Sequence, residues 1–517
     1  MKLKSIISLL LCLLMLAALL VGCGNEGDKD TSSTESKTDN SNQGDQTSEA
    51  DLSAGESSQE DRYTDADGKY STKNLPPYDD TWREYGEFRV LVTSQEGQGT
   101  YFSEEIEPLY TTTDSVILDG VTKRNDWVYE VYDITVKAVA VNDCLQAIRD
   151  EISGSLDTFD AAMPFMSTAA VLAQEGKLYD LNEYSDIIDL DAPWWDANAT
   201  AAVSIGDKVF FTAGDMSLMH KIVSSGIAFN KQLMNDHFSG YDIYQEVRDG
   251  NWTLDRLYSM CKQITGTLED DGVQDEKDLW GIVDTGPSFF YGCGEQLVTK
   301  DSSNNPVLAL GETTRSVDVT QYVLGLCAEK KTWYATVDDW TDRTKNVWDT
   351  CVEVFGNGRS LFMAVHFSAI KKLRQYDVEY GIVPAAKYNE DQDRYYNKCS
   401  ANYANGICIP VSVKDPDFSA YMLEVMSIGG KNNIANTYYN VVLKNKDFRD
   451  EDSEEMLDII FNSIVYDPAI IYTKIGIHNI LADLIKQNST DFYSTLDTNR
   501  ESYEKAIEEI ITDYEEQ

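Results

Sequence analysis

Four histidines, His220, His237, His366 and His478, are scattered along the 517-residue chain with no spacing that would gather a metal, so zinc hydrolysis has no apparent ligand set. No Gly-x-Ser-x-Gly elbow, phosphate-cradling loop or dinucleotide fingerprint occurs, and no cofactor is expected. Carboxylates are too many to inform: with 88 acidic residues, a pair suited to glycosidic cleavage is certain to exist somewhere. Side chains fit for non-covalent recognition are better grouped. Trp194-Trp195-Asp196 follow Pro193 in a loop, and Asp215, Tyr291 and Asn402-Tyr403 occupy other loops. Aromatic faces stack on the C–H faces of sugar rings, and carboxylates and amides bond their hydroxyls. Trp194, Trp195, Asp196, Asp215, Tyr291, Asn402 and Tyr403 are therefore the candidate ligand-binding residues. A paired aromatic after a proline is equally suited to a packing staple, and Trp252, at a helix start, reads as core.

The acidic stretch 267–278 places Gly272 at the turn position of a calcium loop. Thr267 and Asp278 replace its strong first and last carboxylates, so a solvated loop is expected, and no metal site is assigned. The shorter Asp65-Ala66-Asp67-Gly68 fails for the same reason, with Tyr63 and Asn74 at the terminal positions. Of nine cysteines an odd set of seven follows Cys23, too thin for a disulfide scaffold. Cys261, Cys327 and Cys351 sit on apolar helical faces as core thiols. Cys399 and Cys408 flank a turn-rich segment and leave a loop-closing bridge open.

These residues hang on alternating strand-like and helix-like runs, the pattern of α/β lobes with sheets covered on both faces. Strands are expected at 88–92, 134–141, 159–163, 209–211, 226–229, 361–365, 381–384 and 407–413. Helices are expected at 114–132, 144–152, 169–176, 252–265 and 452–466, the last with Asp452 and Glu455 spaced as a capping pair. No internal repeat argues for a solenoid.

A net charge of -45 leaves no source for phosphate-neutralising contacts, so nucleic acid is excluded as a partner, and a basic membrane-binding patch is excluded with it. Membrane affinity has to come from the N-terminus. Lys2 and Lys4 precede an apolar run from Ile6 to Val21, which reads as an export signal over residues 1–22. Leu20-Val21-Gly22-Cys23 resembles the lipobox of bacterial lipoproteins, which implies that Cys23 is diacylated, palmitate being a typical chain, and anchors the protein at the cell membrane on its extracytoplasmic face. From residue 24 to about 80 the composition is Ser, Thr, Asp, Glu, Gln, Asn and Gly, which predicts a disordered acidic linker over 23–80. The folded domain is then 81–517.

Five local patterns within 86–480 carry a second resemblance. They are Phe159-Asp160-Ala161-Ala162-Met163-Pro164 with Leu178-Tyr179-Asp180-Leu181; Ile205-Gly206-Asp207-Lys208-Val209-Phe210 with Gly226-Ile227-Ala228-Phe229-Asn230-Lys231; Asn251-Trp252-Thr253-Leu254-Asp255; Phe355-Gly356-Asn357-Gly358-Arg359-Ser360-Leu361-Phe362-Met363; and Tyr380-Gly381-Ile382-Val383-Pro384. Their order and spacing resemble the family 1 extracellular solute-binding proteins of bacterial ABC importers. The resemblance implies a two-lobed periplasmic-binding-protein-like fold (type II), each lobe a sheet flanked by helices, with lobes discontinuous in sequence and a ligand cleft between them. It also implies a non-enzymatic role, capturing a carbohydrate or oligosaccharide and passing it to membrane permease subunits. A surface-tethered glycan hydrolase is the alternative, and an adhesive surface lipoprotein a third reading.

Overall fold

The computed structural model describes residues 62–98, 101–107, 115–268, 271–284, 286–435, 437–438 and 451–517. The export signal, Cys23 and the linker up to residue 61 lie outside the described residues. Among the described ones, no helix is long and apolar enough to cross a membrane.

The first lobe grows from β1 (Glu87–Thr93), α1 (Ser115–Tyr132), β2 (Thr135–Val141), α2 (Cys144–Gly154), β3 (Ala161–Met163), α3 (Met166–Gln174) and α4 (Ala197–Val203). Its sheet is parallel in the order β2-β1-β3, with Val90 of the central strand opposite both Ala138 and Ala161. Five of the seven β1 residues are buried, because helices cover a parallel strand on both faces. Asp143 starts α2 by accepting from the Gln146 backbone N–H, which satisfies one of the donors every helix start leaves open.

The second lobe comprises β4 (Ser225–Asn230), α5 (Lys231–His237), α6 (Leu254–Ile264), β5 (Trp280–Val283), α7 (Pro287–Gly292), the hairpin β6 (Val298–Lys300) and β7 (Pro306–Leu308), α8 (Thr314–Ala328), β8 (Tyr334–Ala335), α9 (Val347–Gly356), β9 (Ser360–His366), α10 (Phe367–Leu373) and β10 (Tyr380–Val383). Its five-stranded mixed sheet runs β10-β4-β9-β5-β8, with β4 antiparallel to both neighbours. Thr253 caps α6 and Asn230 caps α5. At Gly281 of β5 a Cβ would lie 2.3 Å from the Cys261 side chain, so α6 packs directly on the strand backbone.

The chain then passes through β11 (Asn397–Lys398), returns to the first lobe with α11 (Pro416–Gly430), and continues with α12 (Glu451–Asn462), β12 (Ile464–Val465), α13 (Ile480–Gln487) and α14 (Phe492–Glu515). Three crossing segments lie side by side as a hinge ladder: Ser224 bridges Cys399, and Asn397 and Lys398 pair with Ile464 and Val465.

Several expectations change. Residues 209–211 and 407–413 form no continuous strand; they thread between elements through single bridges, Thr212 to Ile407, Ala162 to Cys408 and Leu178 to Pro410. Helix α12 stops at Asn462, and Asp452 and Glu455 both pair with Arg248. The linker boundary at 80 also moves. Tyr63 is 1% exposed and donates to Asp189 at 2.8 Å, Asn432 holds the Tyr70 backbone at both N and O, and Tyr78 packs on Tyr132 and Tyr421. The polar composition of 62–80 masks tyrosines that dock on the first lobe, so this stretch belongs to the folded body. Cys399 and Cys408 are free and buried, their thiols directed to the carbonyls of His220 and Ala162.

Candidate functional site

Trp194 and Trp195 are placed in the core. They are 3% and 5% exposed, and their indole N–H groups donate to the two oxygens of one carboxylate, Glu424 of α11, at 2.9 and 2.8 Å. Tyr63 and Tyr70 meet Trp194 edge-on, at 5.2 and 6.0 Å between ring centroids. Trp195 lies over Gly214, where any Cβ would come within 2.7 Å of the ring. A cavity of about 250 Å³ borders Trp194 beside Tyr63, Asp189 and Glu424, but at 3% and 5% exposure with both indole N–H groups spent on one carboxylate, the pair is built as a packing staple rather than the expected sugar platform. Burial pushes the Glu424 carboxyl up to about 8 against the two indole bonds that favour its anion.

The expected polar ligands near them are also committed internally. Asp196 caps α4 through the Ala199 N–H and accepts the Tyr466 hydroxyl at 2.6 Å. Asp215 is paired with Lys221 at 2.7 Å and Lys431 at 3.2 Å. Burial alone would raise Asp215, but the two ammonium groups draw it down to about 2. Tyr291, 2% exposed, sits under the Lys398 ammonium, 5.3 Å from its ring centroid, with its phenol facing Asp467. These three residues hold the hinge and its surroundings in register.

Asn402 and Tyr403 are placed differently. They lie in a short 3-10 turn on the second crossing segment, both partly exposed, with the Asn402 carbonyl accepting from Ser167 at the start of α3. Tyr403 is stacked on Tyr101 with centroids 4.6 Å apart and planes at 27°, and Phe165 meets it edge-on at 5.7 Å. Each ring comes from a different part of the chain. Phe165 follows β3 at its carboxyl end, Tyr101 sits in the loop after β1, and Tyr403 is on the hinge segment.

The cluster touches the second lobe just beyond the carboxyl end of β9. The Tyr101 phenol lies against the Ser368 hydroxyl in the first turn of α10, so the first lobe reaches the second there. His366, the last residue of β9, shares a 3.0 Å hydrogen bond with the Ser400 hydroxyl of the hinge. Burial, reinforced by Lys398, lowers His366 to about 4, so its imidazole is neutral at neutral pH. Asp284, at the end of β5, accepts from the Gly286 N–H and the Ser288 hydroxyl. Asn405 donates to Ser103 and to the Met163 carbonyl, and its Oδ1 is buried without a partner. Among the described residues, no group of three or more His, Cys, Asp or Glu is arranged to hold a metal. In the 267–278 loop the Asp278 carboxylate turns inward to the backbone N–H groups of Leu268 and Asp275.

No family model and no curated protein matches the sequence. Solved structures do match. A cyclo/maltodextrin-binding protein complexed with maltotetraose superposes with a TM-score of 0.51 at 14% identity, over 83% of this chain and 97% of that one. A sugar transporter protein from Rhizobium etli in an open conformation gives a TM-score of 0.52 at 12% identity, over 83% of this chain and 99% of that one. The fold is the two-lobed α/β architecture, each sheet flanked by helices, that these structures share. Open α/β sheets present their ligand crevice at the carboxyl ends of strands. In this fold Phe165, Asp284 and His366 all stand at or just past such ends. Tyr403 is marked in the sequence as a loop aromatic, whereas nothing local around Tyr101, Phe165 or His366 marks them as its neighbours.

Proposed function

We propose that this chain is the extracytoplasmic binding subunit of an ABC importer, capturing an oligosaccharide between its lobes and delivering it to membrane permease subunits. The observation that carries this reading is the partly exposed stack of Tyr101 on Tyr403, flanked by Phe165, where the first lobe and the hinge meet the second lobe. Such a platform matches the apolar faces of sugar rings, and Asn402 and Ser368 stand beside it for hydroxyls. The proteins sharing the fold include one crystallised with maltotetraose and one described as a sugar transporter, which supports the carbohydrate class. In this reading residues 1–22 are removed on export, Cys23 carries the lipid, and the stretch up to residue 61 spaces the body from the membrane. The protein binds and releases its solute unchanged.

A thermal-shift screen of soluble oligosaccharides tests the proposal. A cleft ligand at 100 times its dissociation constant stabilises the fold by about 2.7 kcal/mol. The expected result is a stabilising compound recovered intact after prolonged incubation. Turnover of that compound would replace the importer reading with the glycan hydrolase.

A further inference from the structure

A cavity of about 190 Å³ lies beside the outer edge of the hinge ladder, against β12, and shares no lining residue with the Tyr101–Tyr403 cluster. Its walls come from both lobes and the hinge: Asn198 on α4, Gln296 and Lys300 around β6, Arg394 and Tyr396 ahead of β11, and Ser463 ahead of β12. Its charge runs against that of the chain. With 88 acidic and 43 basic residues overall, the charged side chains on this wall are Lys300 and Arg394, and no Asp or Glu is among the described residues lining it.

Among the described residues, neither cation forms an ion pair. Lys300 donates to the carbonyls of Ser204 and Asn304, which solvate an ammonium but leave its charge standing. Burial draws it down to about 8, opposed only by the field of Asp301. Arg394 lies over the Tyr396 ring at 4.9 Å, and no ion pair with a described carboxylate holds it. Lys300 is a cation drawn partly out of water without a counter-ion, which is costly, and the fork of the exposed Arg394 beside that point charge is the pairing that suits a carboxylate or phosphate. The amides of Asn198 and Gln296 and the Ser463 hydroxyl offer partners to hydroxyl groups on the same molecule.

We infer that this cavity binds a small polyhydroxylated oxyanion, a sugar acid or sugar phosphate, with its charged group held by Lys300 and Arg394. The site is independent of the cleft proposed to take the transported oligosaccharide. Calorimetric titration of the purified chain with D-glucuronate, inorganic phosphate and D-glucose, repeated on Arg394→Ala and Arg394→Lys, tests it. Saturable binding is expected for glucuronate, for phosphate or for both, and not for glucose. Glucuronate alone would show that the hydroxyl partners contribute, and phosphate alone that the doubly charged group is preferred. Arg394→Ala should weaken the interaction at least about tenfold, the scale of one charge-assisted contact, and Arg394→Lys should recover part of it. Circular dichroism should show both variants folded, since Arg394 is solvent-exposed. Absence of saturable binding by either anion, or binding indifferent to Arg394→Ala, would overturn the assignment. Oligosaccharide binding measured on the same proteins reports separately on the cleft.

Discussion

The Trp194–Trp195 pair and the Tyr101–Tyr403–Phe165 cluster are both aromatic groups on loops of one molecule, yet their surroundings differ sharply. The tryptophans direct both indole N–H groups to Glu424 and are buried, Trp194 against Tyr63 and Tyr70 and Trp195 over Gly214. The tyrosines stack on one another but stay partly exposed where the lobes meet. What separates a staple from a platform is therefore where the polar tips and ring faces are satisfied. An aromatic whose donor is spent and whose ring is buried inside one lobe has nothing left to offer a solute.

The comparison breaks most visibly on the packing side. Trp195→Ala should cost about 3 to 5 kcal/mol of stability in urea unfolding, because the large ring fills space that Gly214 cannot refill. A loss below about 1 kcal/mol would mean that the ring is not core.

Glu424→Gln comes next. An amide can accept from one indole but turns its NH2 toward the other, leaving a buried donor unpaired at a cost of about 1 to 3 kcal/mol. Its pH dependence gives the sign. Folded Glu424 holds its proton up to about 8, against an ordinary value of 4.5. Its contribution is therefore complete below the unfolded value and is lost as pH rises through the folded one. Wild-type stability should decline from about pH 5 to pH 9 more steeply than that of Glu424→Gln. Parallel profiles for the two proteins would contradict the buried-carboxyl account.

The smallest effect belongs to the platform side. Tyr101→Phe keeps the stacked ring and removes only the hydroxyl against Ser368, so oligosaccharide affinity should fall by less than about 1.5 kcal/mol with the fold unchanged. A larger loss would move the role of Tyr101 from stacking to hydrogen bonding.

Much of the architecture was legible because it is written locally. The apolar run 88–92 is a parallel strand, Thr253 caps its helix, and Gly226 to Phe229 lies within a central strand. The misread segments 209–211 and 407–413 are apolar enough for strands, but their partners change from residue to residue as they thread the first lobe. The docked tyrosines of 62–80 were hidden by the polar residues around them. The site was legible only in part. Pro193-Trp194-Trp195 looks the same whether the rings meet a sugar or a carboxylate, and the deciding residue, Glu424, lies about 230 positions on. Tyr403 was visible as a loop aromatic, whereas its partners Tyr101 and Phe165 are brought to it only by the folding of β1, β3 and the hinge.

The central claim is that solute recognition resides on the tyrosine stack and not on the tryptophan pair. Calorimetric titration of a stabilising oligosaccharide into wild type, Tyr403→Ala and Trp195→Phe tests it most directly. The account predicts that Tyr403→Ala weakens binding by about 1 to 3 kcal/mol, as loss of an aromatic stacking partner does elsewhere, while Trp195→Phe leaves affinity unchanged and lowers only stability. Undiminished affinity in Tyr403→Ala, with binding lost in Trp195→Phe, would contradict it.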